Sequence, residues 1–137
     1  VSGNVLFVNK KGKTKRVWNY KVNSLNKYSS FKIAHTTLFL KKNLINKIGK
    51  YNTTYKICSD TDFLFRLSNY KKLKFKHVDT YFVKMLEGGL STSYKTFFKK
   101  FAEDIKIYFK YYNYLFIFFY FYKILYKAIR LLSWKFF

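Results

Sequence analysis

Two carboxylates at the start of a predicted helix are the groups in this sequence best suited to acid-base chemistry. Asp60 and Asp62 stand in the run Ser59-Asp60-Thr61-Asp62-Phe63, directly before an apolar pattern with helical spacing. Backbone amides and the helix dipole at such a position favour the ionised carboxylate that a general base requires. The alternative is an N-terminal cap with an acidic first turn, which stabilises a helix by about 1 kcal/mol. The spacing alone favours the cap, which is a sufficient explanation for Asp62.

The other acidic residues have weaker claims to chemistry. The sequence holds 6 acidic residues, and the remaining ones are Asp79, Glu87, Glu103 and Asp104. In a predicted amphipathic helix, Glu103 and Asp104 fall among lysines. The opposite face holds Phe97, Phe98, Phe101, Ile105 and Tyr108. We therefore expect these two carboxylates to form solvated ion pairs, while the phenylalanines pack on the sheet.

Two histidines and one arginine complete the candidates. His35 lies in a predicted strand, where a lone histidine among apolar side chains is more often a satisfied core residue than part of a site. His77 has no context that indicates a site and is interpreted as structural. Arg66 follows Asp62 by four residues on one helix face, which predicts an intrahelical ion pair.

The elements that must position these groups follow from the hydrophobic pattern and indicate an α/β chain. In chain order they are a β-hairpin (5–9 and 15–18), a surface loop (19–32), a strand (33–40), a short helix (42–48), a second helix capped by Ser59, two strands (74–77 and 81–86) and an amphipathic helix (93–112). Gly49 closes the first helix, and Gly88-Gly89 ends the last strand.

Four runs stand in a characteristic order between residues 33 and 91. They are IAHTTLFLKK (33–42), IGKYN (48–52), CSDTDFLFRL (58–67) and EGGLS (87–91). This order resembles bacterial family 2 glycosyltransferases: a strand with a histidine, a helix ending in glycine, an aspartate at a helix start followed by Arg-Leu, and a Gly-Gly-x-Ser turn. Ser59 departs from the family, which often has Glu or Ala before the aspartate.

The resemblance implies a partial glycosyltransferase-A fold, a Rossmann-like mixed sheet with flanking helices. It also implies an inverting transfer of a hexose-type sugar from a nucleotide-sugar donor to a glycan or lipid-linked acceptor. Asp60 would be the general base that takes the proton of the acceptor hydroxyl, a step that accelerates such reactions by about 10² to 10⁴. The residues expected to bind substrate are His35, Asp62, Gly88, Gly89 and Ser91. The resemblance implies that His35 donates to a phosphate or an acceptor hydroxyl, and the interpretation of His35 as a core residue stays equally open.

A divalent cation, Mg or Mn, is expected in the complete enzyme, with its ligands outside this chain. The run Asp60-Thr61-Asp62 fits the family's D-x-D metal pattern, but the metal motif follows a strand and precedes a strand, whereas these residues open a helix. The family's nucleotide-binding half would occupy roughly a hundred residues before Val1. We therefore expect residues 1–110 to be the C-terminal half of the domain, a fragment or split product that is inactive alone.

Residues 111–137 form a densely aromatic and basic tail. Lys123, Lys127 and Arg130 recur at helical spacing on one face, and apolar side chains lie around the rest of the helix. Basic residues favour anionic headgroups, so residues 114–137 are predicted to lie on an anionic membrane surface. The alternative is a C-terminal helix packed on the domain. The expected location is cytoplasmic, peripheral at the inner face of the cell membrane.

The composition supports one modest domain and one alternative function. The 137 residues contain 28 Lys and Arg, giving a net charge of +22, and the only cysteine, Cys58, cannot form an intramolecular disulfide. The alternative to a glycosyltransferase is a non-enzymatic module that binds nucleic acid or anionic membrane through basic and aromatic side chains. No nucleic-acid-binding signature is evident in the sequence, so the leading interpretation includes no nucleic-acid partner.

Overall fold

The computed structural model describes residues 1–88 and 94–134 and shows an α/β fold. The strands are β1 (Ser2–Val8), β2 (Thr14–Trp18) and β3 (His77–Leu86), and the α-helices are α1 (Lys42–Ile48), α2 (Ser59–Ser68), α3 (Phe97–Tyr112) and α4 (Phe116–Trp134). Short 3₁₀ turns occur at Ser30–Lys32, His35–Thr37, Tyr94–Thr96 and Asn113–Leu115.

The three strands form a mixed sheet in the order β2-β1-β3. β1 and β2 are antiparallel, with Val5 opposite Trp18, which confirms the predicted hairpin. Its turn contains Gly12 at a φ of 76°, a left-handed conformation that glycine adopts without steric cost. β1 and β3 are parallel, with Leu6 opposite Lys84, and the two predicted strands 74–77 and 81–86 are replaced by the single strand β3.

The predicted strand over residues 33–40 is wrong, because this segment forms a 3₁₀ turn at His35–Thr37. The hydroxyl oxygen of Thr37 accepts a hydrogen bond from the Gly3 amide at 3.2 Å. Its proton is directed at the carbonyl oxygens of Gly3 and Ala34, at 3.0 and 2.8 Å. This buried side chain joins the segment to β1 without strand pairing, and it leaves the neighbouring His35 half-exposed.

Residues 19–32 are not a surface loop, since they contribute side chains to the first core. Tyr20, Val22 and Leu25 are buried in it with Ile33. From α2, the buried members of this core are Phe63, Leu64 and Leu67. The irregular segment has no helical or strand periodicity, so the sequence pattern did not reveal its apolar contacts.

The second core lies between α2, α3 and α4, and it corrects the predicted faces of α3. Its buried members are Cys58, Phe65, Ile107, Tyr108, Tyr112 and Tyr120. Phe97 and Phe98 are instead 58% and 79% exposed, whereas Glu103 and Asp104 are buried. The acidic side chains of α3 face the protein together with Tyr108, so the expected orientation holds for Tyr108 and is wrong for Phe97, Phe98, Glu103 and Asp104.

Helix α4 packs on the rest of the chain with its basic side. Lys123 is buried against α3, and the ring of Tyr126 lies 5.6 Å from that of Tyr20. The opposite side is apolar and open, with Phe118, Phe121 and Leu125 all more than 60% exposed. The expectation that the basic face would meet headgroups is therefore wrong for Lys123. No helix in the described part of the chain is both long and apolar enough to cross a membrane.

Candidate active site

A cavity of about 340 Å³ lies where the 3₁₀ turn at His35–Thr37, the start of α2 and the end of β3 meet. Its wall includes His35, Asp60 and Gly88, three of the residues predicted from the sequence to form the site. Side chains from α3 and α4 also line it. The fold thus brings together groups that are far apart in the sequence.

Asp60 and His35 form a hydrogen-bonded pair on the wall of this cavity. His35 Nδ1 lies 3.0 Å from Asp60 Oδ2, and both side chains are partly exposed, at 41% and 32%. The Thr61 amide donates to Asp60 Oδ1 at 2.8 Å. Burial alone would raise the pKa of Asp60, but the hydrogen bond and charge of His35 and the Thr61 amide outweigh it and lower that pKa. Asp60 is therefore ionised near neutral pH.

The ionised state of Asp60 fixes the hydrogen-bonding roles in the pair. A carboxylate only accepts hydrogen bonds, so the proton between the two side chains belongs to His35 Nδ1. The other ring nitrogen, Nε2, is then an acceptor whenever the imidazole is neutral. A substrate hydroxyl in the cavity can lose its proton to the carboxylate of Asp60 or to the Nε2 atom of His35.

The segment that leads into α2 is held by Glu103, which the sequence placed on a solvated face. Glu103 Oε1 accepts a hydrogen bond from the Lys56 amide, and Oε2 accepts two from the amides of Ile57 and Cys58, all at 2.9 Å. Burial alone would raise the pKa of Glu103, but these three amides lower it below its usual range. The buried carboxylate from α3 therefore fixes the backbone that directly precedes Asp60.

A buried ion pair joins α3 to α4 beside the cavity. Lys123 Nζ lies 2.9 Å from Asp104 Oδ1, and both side chains are less than 10% exposed. Asp104 was expected to be solvated, so this expectation is also wrong. Both residues contribute to the wall of the same cavity as Asp60 and His35.

Asp62 lies outside this cavity, on another side of α2. Its carboxylate is 1% exposed and binds Arg66 at 2.8 Å, which confirms the predicted ion pair. Lys110 Nζ and the Tyr111 hydroxyl also donate to it, at 3.0 and 3.1 Å. Burial alone would raise the pKa of Asp62, but these partners lower it. Because the buried carboxylate of Asp62 has its partners within the protein, we interpret Asp62 as structural, and its position argues against the predicted substrate-binding role.

The helix that bears Asp60 does not begin with the expected Ser59 cap. Ser59 is the first residue of α2 and Cys58 occupies the cap position, with no side-chain cap hydrogen bond. The predicted glycine closure of α1 is confirmed, since Gly49 has a φ of 83°. Arg66 donates to the carbonyl oxygens of Ile48 and Lys50 at 2.6 and 2.8 Å, and it thereby ties the end of α1 to α2.

Gly88 lines the cavity just after β3 and has a φ of 89°. A residue with a side chain would be strained at this angle, so the turn requires glycine. Gly89 and Ser91, the other predicted residues of this turn, lie outside the described residues.

Basic side chains on the cavity wall were not predicted from the sequence as part of the site. Arg16, Lys100, Lys123 and Lys127 all line it. Burial, together with the nearby charges of Lys123 and Lys100, lowers the pKa of Lys127 to about 8. The helical spacing of Lys123 and Lys127 was visible in the sequence, but it gave no indication of which way this face would point.

These surroundings do not fit a divalent cation. Among the described residues of the cavity wall, the carboxylates are those of Asp60 and Asp104, which are bound to His35 and Lys123, and the other charged groups are cations. Within residues 1–88 and 94–134, no group of three or more His, Cys, Asp or Glu side chains could hold a metal ion. The wall therefore combines a carboxylate that can abstract a proton with cations that can bind an anionic group of a ligand.

Comparison of the chain with family models, curated proteins and solved structures gave no match.

Proposed function

We propose that this chain is the acceptor-side part of an inverting glycosyltransferase, which transfers a sugar from a nucleotide-sugar donor to a glycan or lipid-linked acceptor. The observation that supports the proposal most directly is the shared cavity of His35, Asp60 and Gly88. These residues come from three of the four runs that resemble family 2 glycosyltransferases. An ionised aspartate held by a histidine at the cavity wall is the general base that such a reaction requires.

In the proposed reaction Asp60 removes the proton of the acceptor hydroxyl. The hydroxyl oxygen forms a bond to the anomeric carbon of the donor sugar, and the bond from that carbon to the phosphate oxygen breaks. The electron pair leaves with the nucleoside diphosphate. Because the pKa of Asp60 is low, proton transfer occurs late, when the hydroxyl has become acidic through bond formation. The cations on the cavity wall favour the departing negative charge.

Residues 1–137 supply the base and the acceptor side in this proposal, and a nucleotide-binding half completes the enzyme. The divalent cation expected from the resemblance would belong to that other half, because the cavity wall described here does not fit it. The isolated chain is accordingly expected to transfer no sugar.

The test uses the completed enzyme, with residues 1–137 joined to a nucleotide-binding half, and a panel of nucleotide sugars. Asp60→Asn should lower transfer by about 10² or more while donor binding is unchanged. Asp79→Asn is the matched control, since the Asp79 side chain is 60% exposed and lies off the cavity wall. Turnover of Asp60→Asn within a factor of three of the control would remove Asp60 from the role of base.

A second candidate function, binding to a membrane surface, is favoured by the open apolar side of α4. Phe118, Phe121 and Leu125 lie on this side, and Phe98 of α3 is 79% exposed. Such exposed aromatic and aliphatic surface partitions into the headgroup boundary of a bilayer. A peripheral location at the inner face of the cell membrane is part of this proposal.

Liposome flotation tests the membrane proposal. Replacement of Phe118, Phe121 and Leu125 by Ser should abolish flotation with neutral vesicles, to which the net charge of +22 gives no attraction. Unchanged flotation of this triple variant would refute binding through α4. Replacement of the exposed Lys10, Lys11 and Lys13 by Gln serves as the control for binding by net charge alone.

A further inference from the structure

Lys127 has an unusual environment for a lysine. It is half-buried on the cavity wall, and its Nζ lies 5.1 Å from the centre of the Trp18 ring, an apolar neighbour with a weak cation-π attraction. Among the described residues no carboxylate lies within ion-pair distance of Lys127. A cation in such a place is stabilised when an anion enters the cavity.

The charges around Lys127 are unbalanced. Burial lowers the pKa of Lys127 most, and repulsion from Lys123 and Lys100 lowers it further, whereas Asp104 and Asp60 attract it from beyond ion-pair distance. Asp104 is already bound to Lys123, and Asp60 is bound to His35. With its pKa at about 8, Lys127 still bears its proton at pH 7 in about nine-tenths of the molecules.

We propose that Lys127 binds a phosphate group of a ligand in this cavity, whose wall also includes Asp60 and His35. Lys100 and Arg16 line the same cavity and offer further donors to the phosphate oxygens. The carboxylate of Asp60 repels an anion, so the phosphate is expected at Lys127 and not at the carboxylate, which stays accessible to a hydroxyl.

The phosphate has two possible sources that share this chemistry. It belongs either to the nucleoside diphosphate of the donor or to a phosphorylated lipid acceptor. The assignment of these two sources rests on the proposed function, whereas the phosphate site itself rests only on the cavity and its charges. The site can therefore be tested without sugar transfer.

The experiment measures binding to the full 137-residue chain by calorimetry at physiological salt. The probes are inorganic phosphate, uridine diphosphate and a short-chain isoprenyl phosphate. Lys127→Gln should weaken binding about tenfold or more, the expected loss of one charge-assisted hydrogen bond, and Lys127→Arg should retain it. Lys11→Gln, in the exposed hairpin turn, is the matched control and should change affinity by less than about twofold.

The ratio of the affinities for uridine diphosphate and the isoprenyl phosphate identifies the source of the phosphate. Tighter Lys127-dependent binding of uridine diphosphate assigns the site to the donor, and tighter binding of the isoprenyl phosphate assigns it to the acceptor. Equal losses in Lys127→Gln and Lys11→Gln would overturn the proposal, since binding would then follow the net charge of +22 alone. No measurable binding of any probe by the wild-type chain would overturn it as well.

Two further readouts separate a binding site from a structural residue. Affinity for phosphate should fall between pH 7 and pH 9 as Lys127 loses its proton, and Lys127→Arg should remove that fall. Thermal unfolding of Lys127→Gln should occur at the wild-type temperature or above it, because a partly buried cation is removed. If transfer assays show no role for Asp60 while Lys127-dependent binding persists, the proposed function fails and the phosphate site stands.

Discussion

Replacement of Glu103 by Gln tests how the backbone before Asp60 is held. The wild-type carboxylate accepts three amide hydrogen bonds at 2.9 Å, one on Oε1 and two on Oε2. Glutamine has the same shape but only one oxygen. Its best orientation keeps the two bonds from Ile57 and Cys58 as neutral bonds and turns its NH₂ group toward the Lys56 amide, donor against donor.

The cost of this change can be worked from those contacts. A hydrogen bond to a charged acceptor contributes about 1.5–3 kcal/mol and a neutral one about 0.5–1.5 kcal/mol, so the two retained bonds each lose about 1 kcal/mol. The Lys56 amide loses its partner, which adds about 1 kcal/mol or more. Glu103→Gln should therefore lower the free energy of unfolding by about 3 kcal/mol. In urea this corresponds to a midpoint about 2 M lower, for a typical denaturant dependence.

Urea unfolding at pH 7, followed by circular dichroism, measures the effect, with Glu87→Gln as control because Glu87 is exposed. The pH dependence provides a second check. Folding lowers the pKa of Glu103. Its contribution to the free energy of unfolding is therefore complete above its unfolded pKa of 4.5, and it is lost as the pH falls through its folded pKa. The difference between wild type and Glu103→Gln should shrink in that acid range. A loss below about 0.5 kcal/mol at pH 7, equal to that of the control, would refute the assignment.

Three other changes test the rest of the scaffold. Asp104→Asn should destabilise the chain by about 3–5 kcal/mol, because it leaves the buried charge of Lys123 without a partner. In urea unfolding, the double variant with Lys123→Met should recover most of that loss, and additive losses would argue against the ion pair. Tyr108→Phe should be neutral or stabilising by up to about 1 kcal/mol in thermal unfolding, since the buried Tyr108 hydroxyl has no hydrogen-bond partner among the described residues; a clear loss of stability would reveal a partner. Gly49→Ala should cost about 1–3 kcal/mol, because Gly49 combines a φ of 83° with a ψ of 162°, and an unchanged urea midpoint would contradict that backbone geometry.

The parts of the fold that sequence reasoning predicted are those with a local signal. The hairpin has its glycine turn, α1 has Gly49 after it, and α2 and α3 have apolar residues at helical spacing. The pair between Asp62 and Arg66 follows from their spacing of four residues. Each of these features depends on residues that are neighbours in the chain.

The parts that were missed depend on partners from distant elements. Nothing near Glu103 in the sequence indicates that its carboxylate will accept the amides of residues 56–58. The helical face of α3 was assigned from its phenylalanines, but the burial of Glu103 and Asp104 is decided by the amides and the lysine that they meet.

The candidate site shows the same division between local and distant signals. Asp60 at the start of a helix and Gly88 in a turn follow from local sequence, whereas the contact of Asp60 with His35 depends on the 3₁₀ turn that replaced a predicted strand. The position of Lys127 on the cavity wall depends on how α4 packs, which aromatic composition alone could not determine.

The parallel pairing of β1 with β3 also governs how the chain can fold. Ser2 pairs with His77, so the parallel partner of the central strand is synthesised 75 residues after it. At ribosomal rates of about 5–20 residues per second, this synthesis takes roughly 4–15 s, during which one edge of the early hairpin stays exposed. Such an edge can pair with strands of other chains, so slow synthesis or high expression should favour aggregation before β3 arrives.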